Sequence, residues 1–224
     1  MRIMKTVRIN EDFQNEKGEW LVSKCITISP NNYESHHSLS GGRWGGINKR
    51  CIVGGDQQTR YPRYQGTENH FRDFQEFVEW SRGEVGYLLR EPVGDRSWAY
   101  CVEKDILGLG KKIYSPETCL LVPNAVNMFL TARNASRGEW PLGVAWKKSN
   151  SKFEAQVKDR GKKTYLGLFS DPFEGHRAWQ KAKVDNGRRF ALEFKDWHGK
   201  LYDGLNVWLD KIQDDYDNHR ETIL

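Results

Sequence analysis

Apolar and polar positions along the chain change period several times, and each change predicts an element. In "EWLVSKCITI" the β-branched content is that of a strand, and the following "SLSGGRWGG" reads as a flexible, glycine-rich break. In "HFRDFQEFVEW" the residues Phe71, Phe74, Phe77 and Val78 recur at helical spacing, which predicts an amphipathic helix with Asp73, Glu76 and Glu79 on its solvated side. "WAYCVEKDIL" has strand composition, "GLGKK" reads as a turn and "KIYS" as a return strand. "CLLVPNAVNMFLTA" then places Val122, Val126, Phe129 and Leu130 on one helical face, with Pro123 tolerated in the first turn.

Beyond a break at "ASRGEWPLG", the segments "LGVAWKK", "SKFEAQVKD" and "KKTYLGLFS" read as three short strands joined by the turns "KSNS" and "DRGK". "DPFEGHRAWQKAK" starts a helix, with Asp171 as cap, Pro172 at the first helical position and Glu174 three residues after the cap. In "LYDGLNVWLDKI", Leu201, Leu205, Trp208, Leu209 and Ile212 form a single stripe, the pattern of a helix laid on a core. The expected class is α+β. The expected divisions are 1–50, with no assigned chemistry, 51–135, 136–200, and an acidic helix or tail over 201–224.

Composition refines this picture. The 224 residues suit two or three small modules, and with 12% aromatics a few large rings can supply much of the buried area. No apolar run approaches the roughly 18 residues of a membrane span, and "MRIMKTVRINEDF" lacks the apolar core of a signal peptide, so a cytoplasmic protein is expected. Cys25, Cys51, Cys101 and Cys119 form no C-x-x-C pair, which removes support for a zinc ribbon and predicts free thiols. The net charge of +5 is unevenly spread. Residues 143–200 carry fourteen Lys/Arg against seven Asp/Glu, whereas residues 201–224 carry two against six. A basic module of this kind points to a polyanion, most simply nucleic acid.

Gly143-Val144, Phe153-x-Ala155-x-Val157 and Lys163-x-Tyr165-Leu166-Gly167-x-Phe169, followed by the capped helix, resemble an AP2 DNA-binding domain. Over about residues 44–200 the chain resembles phage-encoded HNH-type homing endonucleases with a C-terminal AP2 module. The matching residues are Trp44 to Arg50-Cys51, Tyr64-x-Gly66, Phe74 to Trp80, and "EKDIL" ahead of "YSPETC". The resemblance implies a ββα-metal core followed by a three-stranded antiparallel sheet packed on one helix, and a location in the host cytoplasm.

It further implies metal-dependent hydrolysis of DNA at Glu103, Lys104, Asp105 and Asn127. Glu103, Asp105 and Asn127 would hold Mg²⁺ or Mn²⁺, and Lys104, where the family has its general-base His, would neutralise phosphate. Pro123 and Val126 stand where structural-zinc cysteines can occur, so no structural zinc is expected. On a regular strand Glu103 and Asp105 share one face and Lys104 takes the other. His70, His36 and His37 are the histidines that could supply a base. The alternative is a non-catalytic DNA-binding protein or regulator with a degenerate nuclease core.

Double-stranded DNA is the implied partner. Strand alternation places Val144, Phe153, Ala155, Val157, Leu166 and Leu168 on the core side of the AP2-like sheet. It exposes Lys147, Gln156, Lys158, Lys163 and Tyr165, with Arg160 and Lys162 near the turn. Gln156 and Lys158 are placed to touch base edges, and the lysines to touch phosphate.

Overall fold

The computed structural model describes residues 4–8, 11–29, 32–93, 96–130, 139–159 and 162–223. The class is α+β, with several small sheets among helices. The chain divides into two compact units, residues 1–123 and 124–224.

The first unit opens with strand β1 (Met4–Arg8), the short hairpin β2 (Phe13–Gln14) and β3 (Trp20–Leu21), then β4 (Ser23–Ser29) and β5 (Asn32–His37). Strand β5 lies between β1, to which it runs parallel, and β4, to which it runs antiparallel. His36 and His37 belong to β5, and their side chains lie outside the described residues.

The expected glycine-rich break is instead helix α1 (Leu39–Cys51). Local chemistry outweighs the poor helix propensity of its four glycines. The Ser38 side chain accepts from the Gly41 N–H at 2.8 Å, and Asp12 accepts from both the Ser40 N–H at 2.8 Å and its hydroxyl at 2.6 Å. Capping of this kind satisfies amide groups that a helix start leaves open. A Cβ at Gly41 would lie 2.1 Å from the Val22 carbonyl oxygen, so the glycine allows the backbones to approach. Tertiary packing then fixes the helix: Ile47 joins Phe71, Phe77, Tyr114 and Cys119 in one core, with Trp44 and Trp80 against it. Trp44 and Phe77 meet at 5.3 Å between ring centroids, and Phe71 and Phe77 edge-to-face at 5.1 Å.

Helix α2 (Asp56–Arg60) and strand β6 (Glu68–Asn69) lead to α3 (Phe74–Gly83), where the helical periodicity placed it. Asp73 caps α3 by accepting from the Glu76 N–H at 2.9 Å. Phe71 lies ahead of this helix but shares its core. The hairpin β7 (Arg90–Val93) and β8 (Arg96–Ala99) precedes β9 (Cys101–Glu103), the single turn α4 (Asp105–Gly108), β10 (Ile113–Tyr114) and β11 (Leu120–Val122). Two expectations are corrected here. "KIYS" does not return on the β9 strand: β10 pairs in parallel with β6, and β11 is the antiparallel partner of β9. Val122 therefore closes a strand, and the following helix begins beyond Pro123. A wholly buried apolar run has no period to separate strand from helix, which is why "CLLV" misleads.

The second unit begins with α5 (Asn124–Leu130). Strands β12 (Val144–Lys147), β13 (Lys152–Asp159) and β14 (Lys162–Phe169) form an antiparallel sheet with β13 central. Helices α6 (Pro172–Leu192) and α7 (Gly199–Asp217) complete the unit. Asp171 accepts from the Phe173 N–H at 2.9 Å, with Pro172 at the first helical position, as the capping pattern requires. One face of α6 lies on the sheet. A Cβ at Gly175 would meet Val144, Phe169 and Ala155 at 3.3–3.5 Å, and Trp179 packs with Leu142 and Val157. The opposite face meets α7 so closely that a Cβ at Gly187 would lie 2.3 Å from Leu209 Cδ2. The stripe Leu201, Leu205, Trp208, Leu209 and Ile212 is buried, so the acidic segment is a packed helix. Asp203, Asp210, Asp214 and Asp217 are exposed, and Asp215 is buried against Arg220 and Thr222.

Buried polar groups tie the chain end to this unit. His176 Nδ1 bonds the Leu142 carbonyl at 2.8 Å while its Nε2 accepts from the Thr222 N–H at 3.0 Å, which fixes a neutral imidazole. Lys183 is buried, donates to the Phe129 carbonyl and lies 3.5 Å from the centroid of the Phe129 ring. Burial pushes this lysine down to about 7.

Candidate functional site: an acidic triplet and an open sheet face

In the first unit, Glu103, Lys104 and Asp105 are brought together, but not as a strand with alternating faces. The strand ends at Glu103, and Asp105 begins the turn α4. The Glu103 carboxylate accepts from the Asp105 N–H at 2.8 Å and from the Ile106 N–H at 2.9 Å, one oxygen to each. It thereby caps a helical turn whose first amides have no other partner. The expectation that Glu103 and Asp105 share a strand face is corrected, because the chain leaves the extended conformation at Lys104 (φ −120°, ψ −15°).

Burial decides the electrostatics of the triplet. Glu103 is 4% exposed, and burial, with the Asp105 charge adding to it, pushes its carboxyl up to about 7. Lys104 is also buried, and its ammonium pairs with Asp105 Oδ1. The Lys104 ammonium lies 5.7 Å from the centroid of the Tyr114 ring. Burial favours the protonated form of the surrounding thiols. Cys51 and Cys101 are pushed up to about 11 and Cys119 to about 12, in each case chiefly by burial. All three are free. Cys25 lies outside the described side chains.

Each Glu103 oxygen already accepts a backbone amide and Asp105 Oδ1 takes the Lys104 ammonium, so Mg²⁺ or Mn²⁺ bound by this triplet would share these carboxylates with N–H donors. A hard cation would compete with those donors for the same oxygens. Among the described residues no three His, Cys, Asp or Glu side chains converge as a metal-binding group. Asn127 stands exposed on α5 and belongs to the second unit. His70 is half-exposed, and its Nε2 pairs with Glu68 at 2.6 Å.

In the second unit, pairing register defines two sheet faces, because residues directly opposite each other on antiparallel strands project to the same side. Phe153, Ala155 and Val157 are buried against α6, so Glu154, Gln156 and Lys158 take the open face. Gln156 pairs with Tyr165, and Lys158 with Lys163. Lys147 and Lys152 also face each other there. Tyr165 is 59% exposed.

A bulge between Ala155 and Gln156 shifts the phase of β14. Leu166 stays with the core, but Leu168 pairs with Glu154 on the open face, which corrects its expected place on the core side. Glu154 is the site residue the sequence reading passed over. It ion-pairs with Lys147, raising that lysine and neutralising it locally. The signal was available, since Glu154 alternates with Phe153 and Ala155. Lys162 pairs with Asp159 and faces the other side, in a shallow cleft with Thr164, Asn186 and Arg189. Arg160 lies outside the described residues.

Compared with known protein families, curated proteins and solved structures, the chain matches none. Among the described residues no helix is long and apolar enough to cross a membrane.

The raised Glu103 carboxyl predicts a pH signature. Between about 4.3, the value for an unfolded Glu, and about 7, the folded protein keeps a proton that the unfolded chain has released. Stability from this group is full below the lower value and falls as pH rises through the upper one, by at most about 1.4 kcal/mol per pH unit. Denaturation of Glu103→Gln against wild type from pH 4 to 8 should show that the variant lacks this fall. An unchanged profile would place the carboxyl in an ordinary environment.

Proposed function

We propose that this chain is a duplex-DNA-binding protein whose open sheet face enters the major groove. The observation that carries the reading is the paired display of Gln156 beside Tyr165 and Lys158 beside Lys163 on the exposed face of a twisted antiparallel sheet. The resemblance of residues 143–169 to AP2 domains supports it, as does the surplus of seven positive charges over residues 143–200. A sheet backed by one helix is narrow enough for the roughly 12 Å major groove. Lysines contact phosphate as point charges, which gives affinity without much sequence choice. Gln156 offers both a donor and an acceptor to a base edge, and the Tyr165 ring offers an apolar surface to sugar or a thymine methyl. The Lys147–Glu154 pair withholds one cation from phosphate, so Lys158 and Lys163 are the principal contacts.

A second reading, hydrolysis of DNA phosphodiesters as in the HNH-type endonucleases that the chain resembles, is favoured by one observation. The buried Glu103 carboxyl sits near 7, the range suited to moving a proton at neutral pH, beside the half-exposed Asp105. The way the triplet spends its oxygens weighs against a metal there, so the binding reading is the stronger.

Two measurements test these readings. Lys158→Ala/Lys163→Ala should weaken binding to any duplex and reduce the slope of log K against log salt by about two, since each phosphate contact contributes about 0.9. A wild-type affinity that does not change with salt would contradict the proposal. Supercoiled-plasmid nicking with Mg²⁺ or Mn²⁺, compared at equal DNA occupancy between wild type and Glu103→Gln/Asp105→Asn, separates the two readings. Nicking by wild type alone establishes hydrolysis, and binding without nicking by both leaves a DNA binder.

A further inference from the structure

On the surface of the first unit, cations and aromatic rings alternate in a ladder. Arg50, near the end of α1, has Nη1 3.3 Å from the Tyr114 hydroxyl and its guanidinium 5.5 Å from the centroid of the Tyr64 ring. Arg63 lies 5.1 Å from the Tyr64 centroid and 5.5 Å from that of Tyr61. The two tyrosines meet edge-to-face at 6.2 Å. The ladder starts at the acidic triplet, where Lys104 faces the ring of Tyr114, and it ends in solvent, where Arg60, Tyr61 and Arg63 are exposed. Pro62 opens the short 3₁₀ turn Pro62–Tyr64 that spaces the outer rungs.

We infer that this ladder is a second nucleic-acid contact, with Arg60 and Arg63 holding backbone phosphates of duplex DNA. The Arg63 guanidinium packs against both rings, so less rotamer freedom is lost when its N–H edge meets two phosphate oxygens. Among the described residues neither Arg60 nor Arg63 makes an ion pair with a carboxylate. Tyr61, 40% exposed, offers a ring to sugar at the same edge. An acidic protein surface would need carboxylates spaced to suit the two arginines, whereas a nucleic-acid backbone supplies phosphates at every step. The inference rests on the reading that DNA is the partner, but it concerns a different unit from the sheet, so the two can fail separately.

The test uses the full chain and a long random-sequence duplex, with binding measured across a salt series. Arg60→Gln/Arg63→Gln should bind about tenfold more weakly, with the salt slope reduced by about two. Arg60→Gln alone touches neither ring and leaves the turn intact; it should reduce the slope by about one. If both variants bind with wild-type affinity and slope, the ladder is idle and the inference is overturned. If they lose affinity while Lys158→Ala/Lys163→Ala does not, the ladder is upheld and the sheet is not the interface. If wild type binds no duplex, the sheet reading and the ladder both fall.

Discussion

Helix α6 is covered on two sides, and the second unit depends on that constraint. Its sheet-facing side carries Gly175 and Trp179, and its other side carries Gly187 against Leu209. A helix buried twice needs small residues wherever a neighbour comes within van der Waals range, and two α6 glycines provide them despite their helix cost of about 1 kcal/mol each. The stripe on α7 and the His176 hydrogen bonds to Leu142 and Thr222 close the same core from the far side.

The division of the sheet into two faces follows from that constraint. Because α6 takes Phe153, Ala155 and Val157, strand alternation delivers Gln156, Lys158 and their β14 partners to the open face. The bulge at Ala155–Gln156 adds Leu168 to that face and leaves Tyr165 beside Gln156. The open face is therefore mixed, combining lysines, an amide, an aromatic ring and one neutralised acid. Such a surface suits phosphate contact with a few base-edge contacts better than a strict sequence code.

Legibility of the sequence varied with how strongly local chemistry set the structure. The α6 start could be read directly, because Asp171 caps the nearest amide and Pro172 carries a fixed φ suited to the first helical position. The α7 stripe could be read because its period is long and unbroken. Helix α1 could not, since Ser38, Asp12 and the close approach at Gly41 are tertiary causes acting on a glycine-rich segment. The "EKD" triplet was visible as a cluster of charges, but its geometry depends on the chain turning at Lys104, which alternation cannot foresee. Once the strand ends there, Glu103 becomes a buried cap, Lys104 pairs with Asp105, and the two acids no longer share a strand face. The ladder from Tyr114 to Tyr61 joins residues of three separate segments and carries no periodic signal.

Amide NMR of the isotopically labelled chain, titrated with a duplex, tests the central claim most directly. The account predicts the largest shifts at Gln156, Lys158, Lys163 and Tyr165, with the outward face of α7 unmoved. Shifts confined to α7, or none on β13 and β14 at saturating duplex, would contradict it.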